Sequence, residues 1–596
     1  MSQTENKWDL RDLYNSPNDP AIEADLAEAE KMAEEFEADY RGKIDSPDLT
    51  AEFLAGALRR YEEIVSLMSK SACYAYLVFA ADTSKPEHGA LMQKVQQRQS
   101  GISVKFIFFD LELMTAKPEI MDKLIKDPAL ADYVHFIKAS RQYRDHRLSE
   151  AEETILEIKS NTGDRAFERL FDETIASLRF DMEIDGEKKE LTEPEVLAYQ
   201  RNGDRKLRIE SARALSEGLK KNARIITYIF NTLAWDKEDN DRLRRYTYPQ
   251  QARNMSNELS KETVETVMKT CYDNYDIVSR YYNIKREILG VDKLYEYDRY
   301  APLYESTEKV TFEEAKETVL TAFGEFSPLM RKTTEIFFDK KRIDADTRPG
   351  KQGGAFCMSV SPGIPPYVLM NFLGRKDDVM TMAHELGHAV HGALSCENQT
   401  QFNIHTALPV AELASTFGEM LVFHSLVRKS GTDEKLALYA GKIEDIFATV
   451  FRQAAMYKFE SEFHAARRER GELTTDEISD IWQNAIGEMF GDSLTLNEGH
   501  KYWWEYVGHF IGSYFYVYAY SLGELLVLSL YAMYKKQGKP FVEKFEKLLS
   551  TGGSCSPAEL MAAVDIDITD PAFWQGGVAE IGAMVDEFVK LYNESK

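Results

Sequence analysis

The chain has 596 residues, 44% of them hydrophobic and 12% aromatic, which is enough for a large core and excludes a disordered or fibrous protein. Acidic side chains (99) outnumber basic ones (73) for a formal net charge of −26, so binding a phosphate backbone is not the main task. Nucleic acid is therefore not an expected partner.

The first 170 or so residues read mostly as charged amphipathic helices, as in "AIEADLAEAEKMAEEFEADY", where apolar positions recur at helical spacing among many acids. The amino terminus, "MSQTENKWDLRDLYNS", lacks the basic stretch and apolar run of a secretory signal. A first strand signal follows in "LRFDMEIDGEKKELT", where Asp185-Gly186 between alternating segments predicts a hairpin. Helical periodicity resumes after Glu193-Pro194. This places an expected boundary near 195, between a helical domain over 1–195 and a second domain over 196–596.

From Pro349 to Pro366, four glycines and four prolines fall in eighteen positions, which no helix survives. "GGAFCMSV" inside this stretch and "YVLMNFL" after it read as strands that lead into a helix. Late in the chain, "YFYVYAYSLGELLVLSLYAMY" (514–534) is long enough to cross a membrane, but Glu524 and the tyrosine hydroxyls favour a helix buried in protein. No membrane partner is expected. The cysteines at 73, 271, 357, 396 and 555 are scattered without a C-x-x-C pair and read as free thiols of a reducing compartment, so cytoplasm is the expected location.

The chemistry concentrates in "TMAHELGHAVHG", 381–392. Asp377 or Asp378 can cap this helix. At about 100° per residue, Val379, Ala383, Leu386, Val390 and Leu394 share a core stripe, and His384, His388 and His391 share another face. Two imidazoles four positions apart can aim at one zinc ion, and Glu385 between them stands where a general base for the attacking water belongs. Catalytic zinc takes a third protein ligand, for which Glu397, His405, Glu412 and Glu419 are the candidates downstream.

The longer H-E-x-x-H-x-x-G-x-x-H pattern fails, because 391 is His and 394 is Leu. A glutamate nineteen positions after the second histidine fails as well, because 407 is Ala. "PVAELASTFGEMLVFH" (409–424) reads as one helix behind a proline, with Glu412 and Glu419 about 20° apart on one face. Two carboxylates on so apolar a helix need a cationic recipient. Glu412 is accordingly assigned as the third ligand, and Glu419 as acceptor of a proton from a ligating imidazole, which fixes its tautomer.

With these residues in place, "GKQGGAFC", "PPYVLMNFLGRKDDVMTMAHELGHAVH", the E-x-x-S-x-x-x-E run from Glu412 through Ser415 to Glu419, and "HFIGSYFYVYAYSLGE" resemble the zinc oligopeptidases related to thimet oligopeptidase. The oligoendopeptidase F branch is the nearest. "WDLRDLYNSPNDPAIEADL" and "LGVDKLYEYDRYAPL" extend the likeness over nearly the whole chain.

The resemblance implies a mainly α, zincin-like metallopeptidase: two helical lobes around a deep substrate channel, with a small β-sheet near the active-site helix. It implies one zinc ion per chain, short unfolded peptides as substrates, and hydrolysis at internal bonds. Carried over by position, His384, His388 and Glu412 hold the metal and Glu385 is the catalytic base. His509 and Tyr518 contact the substrate and the developing oxyanion. Gly353, Gly354, Ala355 and Phe356 form an edge strand that pairs with the peptide backbone. Thimet-type members present a second tyrosine three positions before Tyr518, where this chain has Phe515, so Tyr514 or Tyr516 would have to supply it. Two other readings share the motif: a metallocarboxypeptidase that trims peptide ends, and a peptide-binding protein whose metal is structural. The oligomeric state leaves no mark on the sequence.

Overall fold

A computed structural model describes residues 6–304 and 309–596. They are mainly helical, with two small sheets. The chain divides into two compact units, each assembled from separated segments. The first comprises Met1–Arg144, Thr307–Lys429 and Met533–Asp567, and the second Asp145–Ser306, Ser430–Ala532 and Ile568–Lys596. The change of pattern near 195 falls inside the second unit.

In the first unit, the helices Pro20–Tyr40 and Ala51–Ala81 bury a cluster around Phe36, Phe106 and Phe109, with Tyr61 stacked on Phe106 at a centroid distance of 4.1 Å. Its sheet joins β3 (Ile343–Asp344), β5 (Tyr367–Leu369) and β4 (Phe356–Met358), in the order β3-β5-β4. β3 runs parallel to β5, and β4 antiparallel with Cys357 opposite Val368, so β4 is an edge strand.

In the second unit, β1 (Phe180–Ile184) and β2 (Glu187–Leu191) form the expected hairpin, with Phe180 opposite Leu191. Asp185 and Gly186 have φ of 53° and 83°, the left-handed pair that a two-residue turn requires. Phe180, Met182 and Ile184 point inward, while β2 is almost wholly exposed. The 39-residue helix Arg205–Leu243 carries Phe230, which stacks on Phe463 at 3.9 Å and lies against Trp504.

The late apolar stretch becomes helical only at Tyr518, in the helix Tyr518–Gln537, because Phe515 takes a positive φ of 54° and breaks the run. Among the described residues, two helical stretches are long and apolar enough to cross a membrane, Ala51–Ala81 and Leu408–Lys429, and the late stretch is not one of them. Two thirds of the second one's apolar window (67%) is buried in protein.

Candidate metal centre

The sheet delivers the chain into the helix Lys376–Asn398, which carries the histidine motif. Its amino-terminal cap is Arg375. Asp378 acts from inside the first turn, one oxygen accepting from the Leu373 and Arg375 N–H groups at 2.8 Å each. Val379, Ala383, Leu386 and Val390 are buried, as the stripe requires, and His384 and His388 are half-buried on the other face.

The neighbouring helix is not continuous. A short turn, Leu408–Ala411, ends at Glu412 (φ −82°, ψ 3°), and a second helix runs from Leu413 to Lys429. The break lies beside a close helix-to-helix approach. At Gly387 the histidine helix comes so close to its neighbour that a Cβ would stand 2.4 Å from the Ala414 carbonyl oxygen and 2.5 Å from Ser415 Cα. Glycine is the residue that admits this approach.

Glu412, at the break, faces the two imidazoles. Its Oε2 lies 3.5 Å from His384 Nε2 and 3.3 Å from His388 Nε2, and the two nitrogens are 3.2 Å apart. Donors at about 2.0–2.2 Å from a common centre at tetrahedral angles stand about 3.3–3.6 Å apart, so this triangle fits a zinc ion. The Ser415 hydroxyl donates to the same Glu412 oxygen at 2.7 Å. His384 Nδ1 meets Glu419 Oε1 at 2.7 Å, which leaves Nε2 to face the triangle.

The electrostatics follow. Burial alone would raise the Glu412 pKa, but hydrogen bonding and charge from His388, with His384 and Ser415, bring it down to about 2. Burial opposes protonation of His384, yet Glu419 and the other carboxylates raise it to about 9. Glu385 is 6% exposed, and burial holds its carboxyl above the usual range against the pull of His384 and His388. Its Oε2 has no hydrogen-bond partner.

His384, Glu385 and His388 line a cavity of about 420 Å³, together with Ala355, Phe356 and Cys357 on the sheet side. His391, His405 and Thr406 line it too. His391 is buried, and burial together with His388 lowers it to about 4. The sequence places His391 on the imidazole face and offers His405 as a ligand candidate, but nothing in spacing marks either as a cavity wall rather than core.

Of the expected edge strand, only Phe356 lies in β4. Gly353, Gly354 and Ala355 form the turn before it, Gly354 at φ 77°. The turn is braced by Asn371, whose side-chain amide donates to the Gln352 and Gly354 carbonyls at 3.0 and 2.9 Å.

The remaining expected site residues belong to the second unit. Tyr518 is wholly buried, and its hydroxyl oxygen accepts from Asn257 at 2.9 Å. His509 is exposed, its Nε2 3.3 Å from the Tyr520 hydroxyl and its ring stacked on Tyr516. The Tyr514 hydroxyl donates to the Leu233 carbonyl at 3.1 Å.

The sequence model of Peptidase family M3 matches residues 198–580. The chain belongs to peptidase family M3. A model named Oligopeptidase F matches residues 112–180. Oligopeptidase PepF of Bacillus subtilis is 25% identical over 100% of this chain and 88% of its own length. An oligoendopeptidase F homolog of Borreliella burgdorferi is 25% identical over 98% of each. Among solved structures, oligoendopeptidase-F from Enterococcus faecium superposes with a TM-score of 0.70 at 20% identity, covering 96% of this chain and 98% of that one. A Chlamydophila abortus protein reaches 0.89 at 23% identity over 98% of each. This M3 chain is a peptidase with the fold of those neighbours.

Proposed function

We propose that this M3 peptidase is a zinc-dependent oligoendopeptidase that hydrolyses internal bonds of short, unfolded peptides. The observation that carries the reading is the triangle of His384, His388 and Glu412 beside a buried carboxylate, Glu385, that has an unpartnered oxygen. The relatives named oligopeptidase and oligoendopeptidase F support the substrate class.

His384, His388 and Glu412 would hold the ion. Zinc held by these residues would supply Lewis-acid polarisation of the scissile carbonyl and would lower the pKa of the attacking water. Glu385 takes the proton of that water and returns it to the leaving nitrogen. Glu419 keeps the His384 proton on Nδ1 and so aims Nε2. Phe356 and the turn Gly353–Ala355 offer backbone groups to an extended peptide along the free edge of β4.

His509 and Tyr518 act on the substrate side. Because Tyr518 accepts from Asn257, its own proton remains available for a developing oxyanion. Tyr516 rather than Tyr514 is the second tyrosine, since the Tyr514 hydroxyl is committed to Leu233. All five cysteines are free thiols, in keeping with an enzyme of the cytoplasm.

The test is metal analysis of the purified chain, with cleavage mapping of a peptide blocked at both ends, before and after chelation. One zinc per chain and internal cuts that stop on chelation and resume with zinc are expected. No cleavage of the blocked peptide, with trimming of the same peptide when its carboxyl end is left free, would make it a carboxypeptidase, and tight metal without cleavage of either would make it a binding protein.

A further inference from the structure

Several buried or half-buried arginines of this acidic chain face a carboxylate. Asp298 receives Arg205 and Arg208, Asp12 receives Arg342, and Asp344 receives Arg348. Buried Arg299, half-buried Arg452 and exposed Arg201 are arranged differently. Among the described residues none of the three makes an ion pair, although all converge on one phenol.

The Arg299 and Arg201 guanidinium carbons lie 4.4 and 4.7 Å from the centre of the Tyr300 ring, and Arg452 Nη1 donates to the Tyr300 hydroxyl at 2.6 Å. The Nε atoms of Arg299 and Arg452 are buried without a partner, Arg299 being 7% exposed. Glu444 stands nearby, but Lys285 and Tyr281 occupy its Oε1. The cluster is open to solvent on one side, since Arg201 is exposed and Tyr300 and Arg452 are half-buried.

Burial should raise the Tyr300 phenol, yet Arg299, Arg452 and Arg201 together bring it below its usual value. The phenol proton has no acceptor among the described residues. Three cations and a hydroxyl donor, partly withdrawn from water, constitute a receptor for an anion. Burying such charge without its counterion is costly. The charge of Arg452 reaches His509, whose pKa is lowered by burial and by that charge.

We propose that Arg201, Arg299, Arg452 and Tyr300 form a carboxylate-binding site that holds a free carboxylate of the peptide. This rests on the peptidase reading, and it gives an enzyme for short peptides a means of sensing a peptide end. The carboxylate forms charge-assisted bonds to the guanidiniums and accepts the Tyr300 proton. The contact anchors the peptide and takes no part in bond cleavage.

The test measures binding to the zinc-loaded full chain carrying Glu385→Gln, which stops turnover. An amino-terminally labelled peptide is compared as free acid, as carboxyl-terminal amide, and as an amide with a glutamate at the last position. The free acid should bind about tenfold or more tightly than the plain amide. Arg201→Gln, on an exposed side chain that leaves the core intact, and Arg452→Gln should each reduce that ratio to about twofold or less.

The glutamate-containing amide separates the two sources of carboxylate: binding like the acid means side chains also enter, and binding like the plain amide means the terminus is required. Equal affinity for acid and plain amide, or full preference retained in both arginine variants, would overturn the site. Failure of every form to bind would instead refute the peptidase reading.

Discussion

Glu385 is a carboxylate with one function left to it. Buried, raised in pKa and unpartnered at Oε2, it makes no structural bond that its loss would break. Glu385→Gln should therefore keep the fold and the bound zinc while kcat falls by about 10²–10⁴-fold. Measuring zinc content and turnover on the same sample checks this, and retained turnover would remove Glu385 as the base. Glu419 is its counterpart on the far side of His384, 2.7 Å from Nδ1. Glu419→Ala should weaken zinc binding by about 10–100-fold, read by competition with a chelator, because the imidazole loses the acceptor that fixes its tautomer. Tyr518 differs, since its ring is core and only its hydroxyl is proposed to act on the substrate. Tyr518→Phe keeps the packing and should lower kcat by about 10²–10³-fold if the proton left free by Asn257 serves an oxyanion.

The two helices that carry the proposed metal ligands approach closely where Gly387 has no side chain. Gly387→Ala would drive a methyl into the Ala414 carbonyl, separate the helices and turn Glu412 away. We expect a loss of about 1–3 kcal/mol in stability, measured by denaturation without metal, together with weaker zinc binding. Gly441, exposed in the helix Thr432–Thr449 with nothing within 4 Å of a Cβ, is the control. Gly441→Ala should stabilise by about 0.5–1 kcal/mol. At this scale the sequence is unevenly informative. The hairpin at Asp185-Gly186 is legible because the turn is a local matter of φ. The break at Glu412 is not, because no glycine or proline marks it and the close approach beside it comes from another helix. The histidine spacing is legible for the opposite reason: a helix converts four positions into one face without help from the rest of the fold. The arginine cluster gathers residues 201, 299, 300 and 452, whose separation in sequence exceeds any local pattern.

For the whole molecule, mainly helical architecture follows from periodicity, but the units do not, since each is assembled from three segments whose junctions carry no compositional mark. Buried acids are equally hidden, and they shape the response of the chain to pH. Glu505, on the turn of helix Glu498–Tyr506, is wholly enclosed with neither oxygen hydrogen-bonded, and burial raises it from 4.5 to about 9. Glu460 is raised to about 8 by burial, against the Phe515 N–H that it accepts. In the folded chain both are protonated at neutral pH, whereas in the unfolded chain both ionise near 4.5. Folding therefore takes up protons between these values, so their contribution to stability is complete below about 4.5 and is lost as pH rises toward 8–9, at about 1.4 kcal/mol per pH unit for each group. The surplus of exposed acids adds repulsion over the same range, but salt screens it, whereas a buried carboxyl is hardly affected. Urea denaturation from pH 5 to 9 at high salt should show stability falling with pH. Glu505→Gln, neutral at every pH, should flatten that slope by one group's share, and an unchanged slope would mean that Glu505 is ionised in the folded chain.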